Sequence, residues 1–111
     1  MKIKKVNDRI YFNYNNKSFA NVSIKGNNIK LELLETLPKF RNSHFASNLM
    51  QDIINYLKSL DTYKMIYLNP LPLDRFGLEL EDLIKFYKKF NFYESSKKDI
   101  HCPFLMQRAI L

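Results

Sequence analysis

The side chains with chemical potential gather at one junction. In Glu32-Leu33-Leu34-Glu35-Thr36-Leu37-Pro38-Lys39-Phe40-Arg41-Asn42-Ser43-His44-Phe45-Ala46-Ser47, two carboxylates precede a guanidinium, an imidazole and two serine hydroxyls. Upstream, Ile29, Leu31 and Leu33 fall two apart, the period of a half-buried strand. Leu34 breaks that phase, as at a β-bulge. Pro38 has no N–H to give a ladder. From Phe45 the spacing changes: Phe45, Leu49, Ile53, Leu57 and Leu60 share one helical face. A helix that starts directly after a strand presents N–H groups without partners, and these bind anions. Read from spacing alone, Glu32 and Glu35 are exposed strand charges and Tyr87 is a core aromatic. His101-Cys102 invites metal or covalent chemistry. Adjacent ligands with no third or fourth partner do not make a zinc site, and no further group is placed to orient a Cys-His pair.

The elements that must position this junction follow from the same periodicities. Met1 to Asp8 is polar and reads as a short edge strand or an arm. Ile10, Phe12 and Tyr14 alternate, predicting a strand over Arg9 to Tyr14, and Ala20, Val22 and Ile24 predict a second. Asn15-Asn16-Lys17 and Gly26-Asn27 are turns, because Asn and Gly tolerate positive φ. Ile29 to Leu37 completes an antiparallel meander. A helix starting at about Ser43 or Ser47 runs to Leu60 and is ended by Asp61-Thr62. Lys64 to Asn69 holds a continuous apolar run, as in a strand buried on both faces, so strand, helix and strand make a parallel crossover. Pro70 to Gly77 is a loop. Leu80, Leu83, Ile84 and Tyr87 mark a second helix, with acids first and lysines last to suit the helix dipole. Asn91 closes it in the left-handed conformation. Phe92-Tyr93-Glu94 and Pro103 to Arg108 are the last strands, joined by a turn over Ser95 to Asp99. The predicted class is α/β (α+β), order β-β-β-α-β-α-β-β, in a single domain spanning 1–111.

The totals narrow the function classes. Hydrophobic residues make up 46% of the chain and aromatics 14%, too apolar for a disordered tail. No apolar run approaches the length of a membrane span and no signal-like start is present, which points away from the membrane and to the cytoplasm. The single cysteine precludes an internal disulfide. A net charge of +7 suits an anionic cofactor, a nucleic acid or a membrane surface. No basic run is long enough to favour nucleic acid, and the aromatics interleaved with lysines between Phe86 and Phe92 have helical spacing, which suits a core.

Two stretches carry a family resemblance. Pro38-x-x-Arg41-x-x-His44-x-Ala46, followed by an amphipathic helix, resembles the acyl-CoA loop of the GNAT superfamily of N-acetyltransferases, Arg/Gln-x-x-Gly-x-Gly/Ala. Leu83-Ile84-Lys85-Phe86-Tyr87-Lys88-Lys89-Phe90-Asn91-Phe92 resembles that family's Leu-x-x-Phe-Tyr-x-x-x-Gly-Phe. His44 and Asn91 stand where the family has glycine, and the whole chain has only Gly26 and Gly77. The order of the two motifs and the strand between them strengthen the match, which spans Ile10 to Arg108.

The resemblance implies a GNAT-like sheet flanked by helices and a reaction in which acetyl-CoA acetylates a primary amine. It implies that backbone groups of Leu34 and Thr36 hold the pantetheine arm. The backbone N–H groups of Asn42, Ser43, His44, Phe45, Ala46 and Ser47 would cradle the pyrophosphate, with Arg41 adding charge or bracing the loop. Tyr87 would be the general acid for the leaving thiolate, and Glu35 or Glu32 the base. The family's early helices are missing or reduced to Met1–Asp8, which leaves the acceptor side open or completed by a second subunit. The alternative is a GNAT-like binding module without catalysis, acting on a protein or nucleic acid through its basic surface.

Overall fold

Alternating apolar residues build the first half of the chain into a four-stranded antiparallel meander: β1 (Lys2–Val6), β2 (Arg9–Tyr14), β3 (Ser18–Lys25) and β4 (Asn28–Thr36). The computed structural model describes residues 1–41, 44–70 and 79–110. The N-terminal stretch is therefore a strand, and five exposed residues form this edge of the sheet. The turns close as their residue types allow: Asn15 and Asn16 take φ of 54° and 59°, and Gly26 takes 61°. After a short 3-10 turn at Pro38–Phe40 come α1 (Phe45–Leu60), β5 (Met65–Leu68), α2 (Leu80–Lys88), β6 (Tyr93–Glu94) and β7 (Met106–Ala109). The sheet order is β1-β2-β3-β4-β5-β7-β6, with β4 and β5 the parallel pair.

Both crossover helices pack on one face of the sheet, as right-handed crossovers in the same direction require. Ile10, Phe12, Ala20, Val22, Ile29, Leu31, Ile66 and Leu68 meet Leu49, Met50, Ile53, Ile54 and Leu57 of α1 there. Tyr87 and Phe92 join the same core. The other face bears no helix among the described residues. Hence β5 is buried on one face only: Ile66 and Leu68 are covered, while Met65 and Tyr67 are half-buried. This corrects the expectation of burial on both faces, since a continuous apolar run does not reveal how many faces are covered. No helix among the described residues is long and apolar enough to cross a membrane.

Candidate active site at the β4–β5 wedge

The bulge expected near Leu34 sits at Glu32. Asn21 pairs with Leu33 and Val22 with Leu31, so Glu32 is the extra residue. Before it, Ile29 and Leu31 face α1; beyond it, Leu34 and Thr36 do, opposite Ala20 and Ser18. Leu34 breaks the sequence phase because the bulge has already shifted the strand by one residue.

At the same level β4 and β5 part. Their pairing ends at Leu31 with Leu68, although β4 continues to Thr36 alongside β3. From Glu32 onward, β4 has no strand on its β5 side among the described residues. The Leu37 N–H donates to the Lys17 carbonyl at 2.9 Å, and the Ser18 hydroxyl donates to the Glu35 carbonyl at 2.9 Å, both toward β3. Successive residues of a strand point their backbone polar groups to alternate sides, so those of Leu34 and Thr36 point into the wedge. The Arg41 Nε donates to the Thr36 carbonyl at 3.0 Å. Arg41 therefore ties the loop to the strand end.

The helix opens at His44 in the left-handed region, φ 63° and ψ 12°, with no side chain capping it. Its carbonyl accepts the Asn48 N–H at 2.9 Å. The N–H groups of Phe45, Ala46 and Ser47 precede that first helical bond and find no acceptor among the described residues. No acid stands in the first turn to offset the dipole. The helix begins at Phe45, so Ser47 lies within it, and Asn42 and Ser43 lie outside the described residues. Two cations that spacing could not place come close: the Lys17 ammonium lies over the rings of Phe45 (5.0 Å) and Phe40 (5.1 Å), and that of Lys39 over Phe40 (5.7 Å). Lys17 arrives from the β2–β3 turn, and only the sheet register brings it here.

The carboxylates and the phenol lie on opposite faces of the sheet. Glu35 pairs with Phe19 on the helix-free face. There too the Ser23 hydroxyl donates to Glu32 Oε1 at 2.8 Å, and Lys30 approaches the same oxygen at 3.9 Å. Tyr87 sits on the helix side, 8% exposed, against Phe86 and Phe92. Among the described residues none hydrogen-bonds its hydroxyl, and burial pushes its pKa up to about 12. Asn91 closes the turn after α2 at φ 66°. Both positions at which the GNAT motifs have glycine thus carry left-handed backbone, filled here by His44 and Asn91, two of the residue types that accept it best.

No protein-family model matches the sequence, and no curated protein does. Solved structures do match in three dimensions. The anti-CRISPR protein AcrVA5 is 18% identical with a TM-score of 0.74, covering 90% of this chain and 97% of that one. The PaiA N-acetyltransferase of Thermoplasma acidophilum, in complex with coenzyme A, is 17% identical with a TM-score of 0.65, covering 84% of this chain and 53% of that one. An aminoglycoside 6'-N-acetyltransferase complexed with coenzyme A is 13% identical with a TM-score of 0.66, covering 94% and 74%. The chain spans about half the length of the Thermoplasma enzyme and nearly all of AcrVA5. It has the GNAT fold, which among the described residues is a mostly antiparallel seven-stranded sheet with two α-helices.

Proposed function

We propose that this protein is an N-acetyltransferase that takes the acetyl group of acetyl-CoA and delivers it to a primary amine. The observation that carries the reading is the wedge: beyond Glu32, β4 has no strand on its β5 side among the described residues, and a short 3-10 turn leads from its end to a helix N-terminus without a side-chain cap. Leu34 offers its backbone N–H and carbonyl to an amide-bearing arm and Thr36 its N–H, while the Thr36 carbonyl accepts from Arg41. The amides of Phe45, Ala46 and Ser47, together with those of Asn42, Ser43 and His44, receive phosphate oxygens. Lys17 and Lys39 add charge at the same end, and Arg41 braces the loop through Thr36.

Acetyl-CoA supplies an activated acyl group as a thioester. This chain's residues hold it and manage protons on either side of the sheet. In this reading Glu32 or Glu35, both on the helix-free face, relieves an incoming ammonium of its proton. Glu32 is the more constrained of the two, because Ser23 and Lys30 fix one of its oxygens. Tyr87 on the helix side remains protonated at any working pH. A phenol pushed up to about 12 is a weaker acid than a thiol. Its service to the departing sulfur is therefore a hydrogen bond as negative charge builds, not a completed proton transfer of its own accord.

Isothermal calorimetry with acetyl-CoA at low salt, followed by thiol release with a panel of primary amines, tests the proposal. Heat and thiol release support it; no heat at millimolar ligand refutes it. One observation favours the non-catalytic alternative: the loop carries an imidazole where the family has a bare backbone. Binding without turnover for any amine would select that alternative.

A further inference from the structure

The helix-free face carries a pattern that acyl transfer leaves unused. Residues paired directly across the strands form rows on it: Lys4, Tyr11, Asn21 and Leu33 in one, Lys2, Asn13 and Phe19 in the next. They line a shallow concavity of about 830 Å³. Tyr11 is 43% exposed on the floor of this surface. On the β1–β3 side the charged groups on this face are Lys2, Lys4, Arg9 and, at the end of β3, Lys25, and the Arg9 guanidinium donates to Asn21 Oδ1 at 2.9 Å. The carboxylates on this face belong to β4: Glu35 pairs directly with Phe19, and Glu32 is engaged by Ser23 and Lys30. The cationic half of the face thus coincides with its exposed ring, in a chain of net charge +7 and pI ≈ 9.5.

We propose that this face binds single-stranded nucleic acid, with bases stacking on Tyr11 and Phe19 and phosphates meeting Lys2 and Lys4. One nucleotide supplies both a flat π-face and an anion, the two partners that a ring flanked by ammonium groups lacks. An acidic protein segment would meet the lysines but bring no flat partner for the rings. The rows cross β1 to β3 and end on β4 at Leu33 and Glu35, beside the carboxylates assigned to proton removal, but oligonucleotide binding is read without acetyl-CoA and so stands or falls apart from acyl transfer.

Fluorescence anisotropy of the full chain with a fluorescein-labelled oligouridylate, over a salt series, tests it. The parent binds at low salt. Tyr11→Leu keeps an apolar strand residue and lowers affinity by about fivefold or more, the scale of one lost stacking contact. Changing Lys2→Gln and Lys4→Gln together flattens the log–log salt slope by about 1.4, for two lost phosphate contacts on a single strand. Charge attraction alone favours the denser charge of a duplex, so weaker binding to duplex RNA of equal length supports stacking. Circular dichroism confirms that each variant folds, and Phe19→Leu replaces Tyr11→Leu should the latter fail. No binding at low salt, equal or tighter binding of duplex, or parental affinity in both ring variants overturns the proposal. Tyr11-dependent binding of polyglutamate without binding of the oligonucleotide also overturns it and assigns the face to an acidic protein.

Discussion

Replacing Tyr87 by phenylalanine removes a single oxygen from a ring that is 8% exposed. The ring packs edge-on against Phe86 and Phe92 at centroid distances of 5.3 and 5.8 Å, contacts that phenylalanine keeps. The hydroxyl has no hydrogen-bond partner among the described residues, so its loss leaves no group orphaned. Tyr87→Phe at neutral pH should therefore be as stable as the parent or up to about 1 kcal/mol more stable. The alkaline limb should differ. Burial raises the phenol from 10.0 to about 12 in the folded state. The unfolded chain loses this proton first, so the parent's stability is whole below about pH 10 and declines as pH rises toward 12. Two pKa units correspond to about 2–3 kcal/mol. The variant lacks this contribution, and the difference between the two proteins isolates it from the titration of other tyrosines and lysines. Urea melts of both proteins from neutral pH to pH 12 measure it. Thiol release from acetyl-CoA should fall by roughly 10²-fold in the variant, with acetyl-CoA affinity unchanged. Turnover at the parent's rate would reduce Tyr87 to a core residue. Destabilisation of more than about 1 kcal/mol at neutral pH would mean that the hydroxyl has a partner, contrary to its environment here.

His44→Gly relieves a left-handed residue and should raise stability by about 0.5–1 kcal/mol, a rise of about 2–4 °C in Tm by differential scanning calorimetry. In the same variant, acetyl-CoA affinity should hold or improve; a loss of affinity in calorimetry would show the imidazole holding phosphate. Arg41→Ala frees the Thr36 carbonyl and should weaken acetyl-CoA binding in calorimetry, and unchanged affinity would refute the brace. Arg108 donates to the carbonyls of Phe90 at 2.7 Å and Ala109 at 2.8 Å from a largely buried position, and so ties the end of α2 to β7. Arg108→Ala should cost about 2–4 kcal/mol in urea unfolding, and Arg108→Lys should recover part of it.

Period and residue type were enough to determine the meander, the two helices and their order. Ile10 and Phe12, or Ala20 and Val22, alternate because one face of a strand is buried, a local property that each segment carries alone. Asn91 could be placed in left-handed backbone because its own type accepts it, and the motifs around Arg41 and Tyr87 pointed to the fold that the structure has. The tertiary structure alone decided what depends on partners distant in sequence. The bulge falls at Glu32 because β3 pairs with Leu31 and Leu33 on either side of it. That register puts Glu32 and Glu35 on the face away from Tyr87. The position of Lys17 over Phe40 and Phe45 requires the β2–β3 turn to meet the start of α1. Met65 and Tyr67 are half-buried because both helices crossed to the other side of the sheet. An apolar strand reads the same whether one face or two are covered, since coverage belongs to the neighbours and not to the strand.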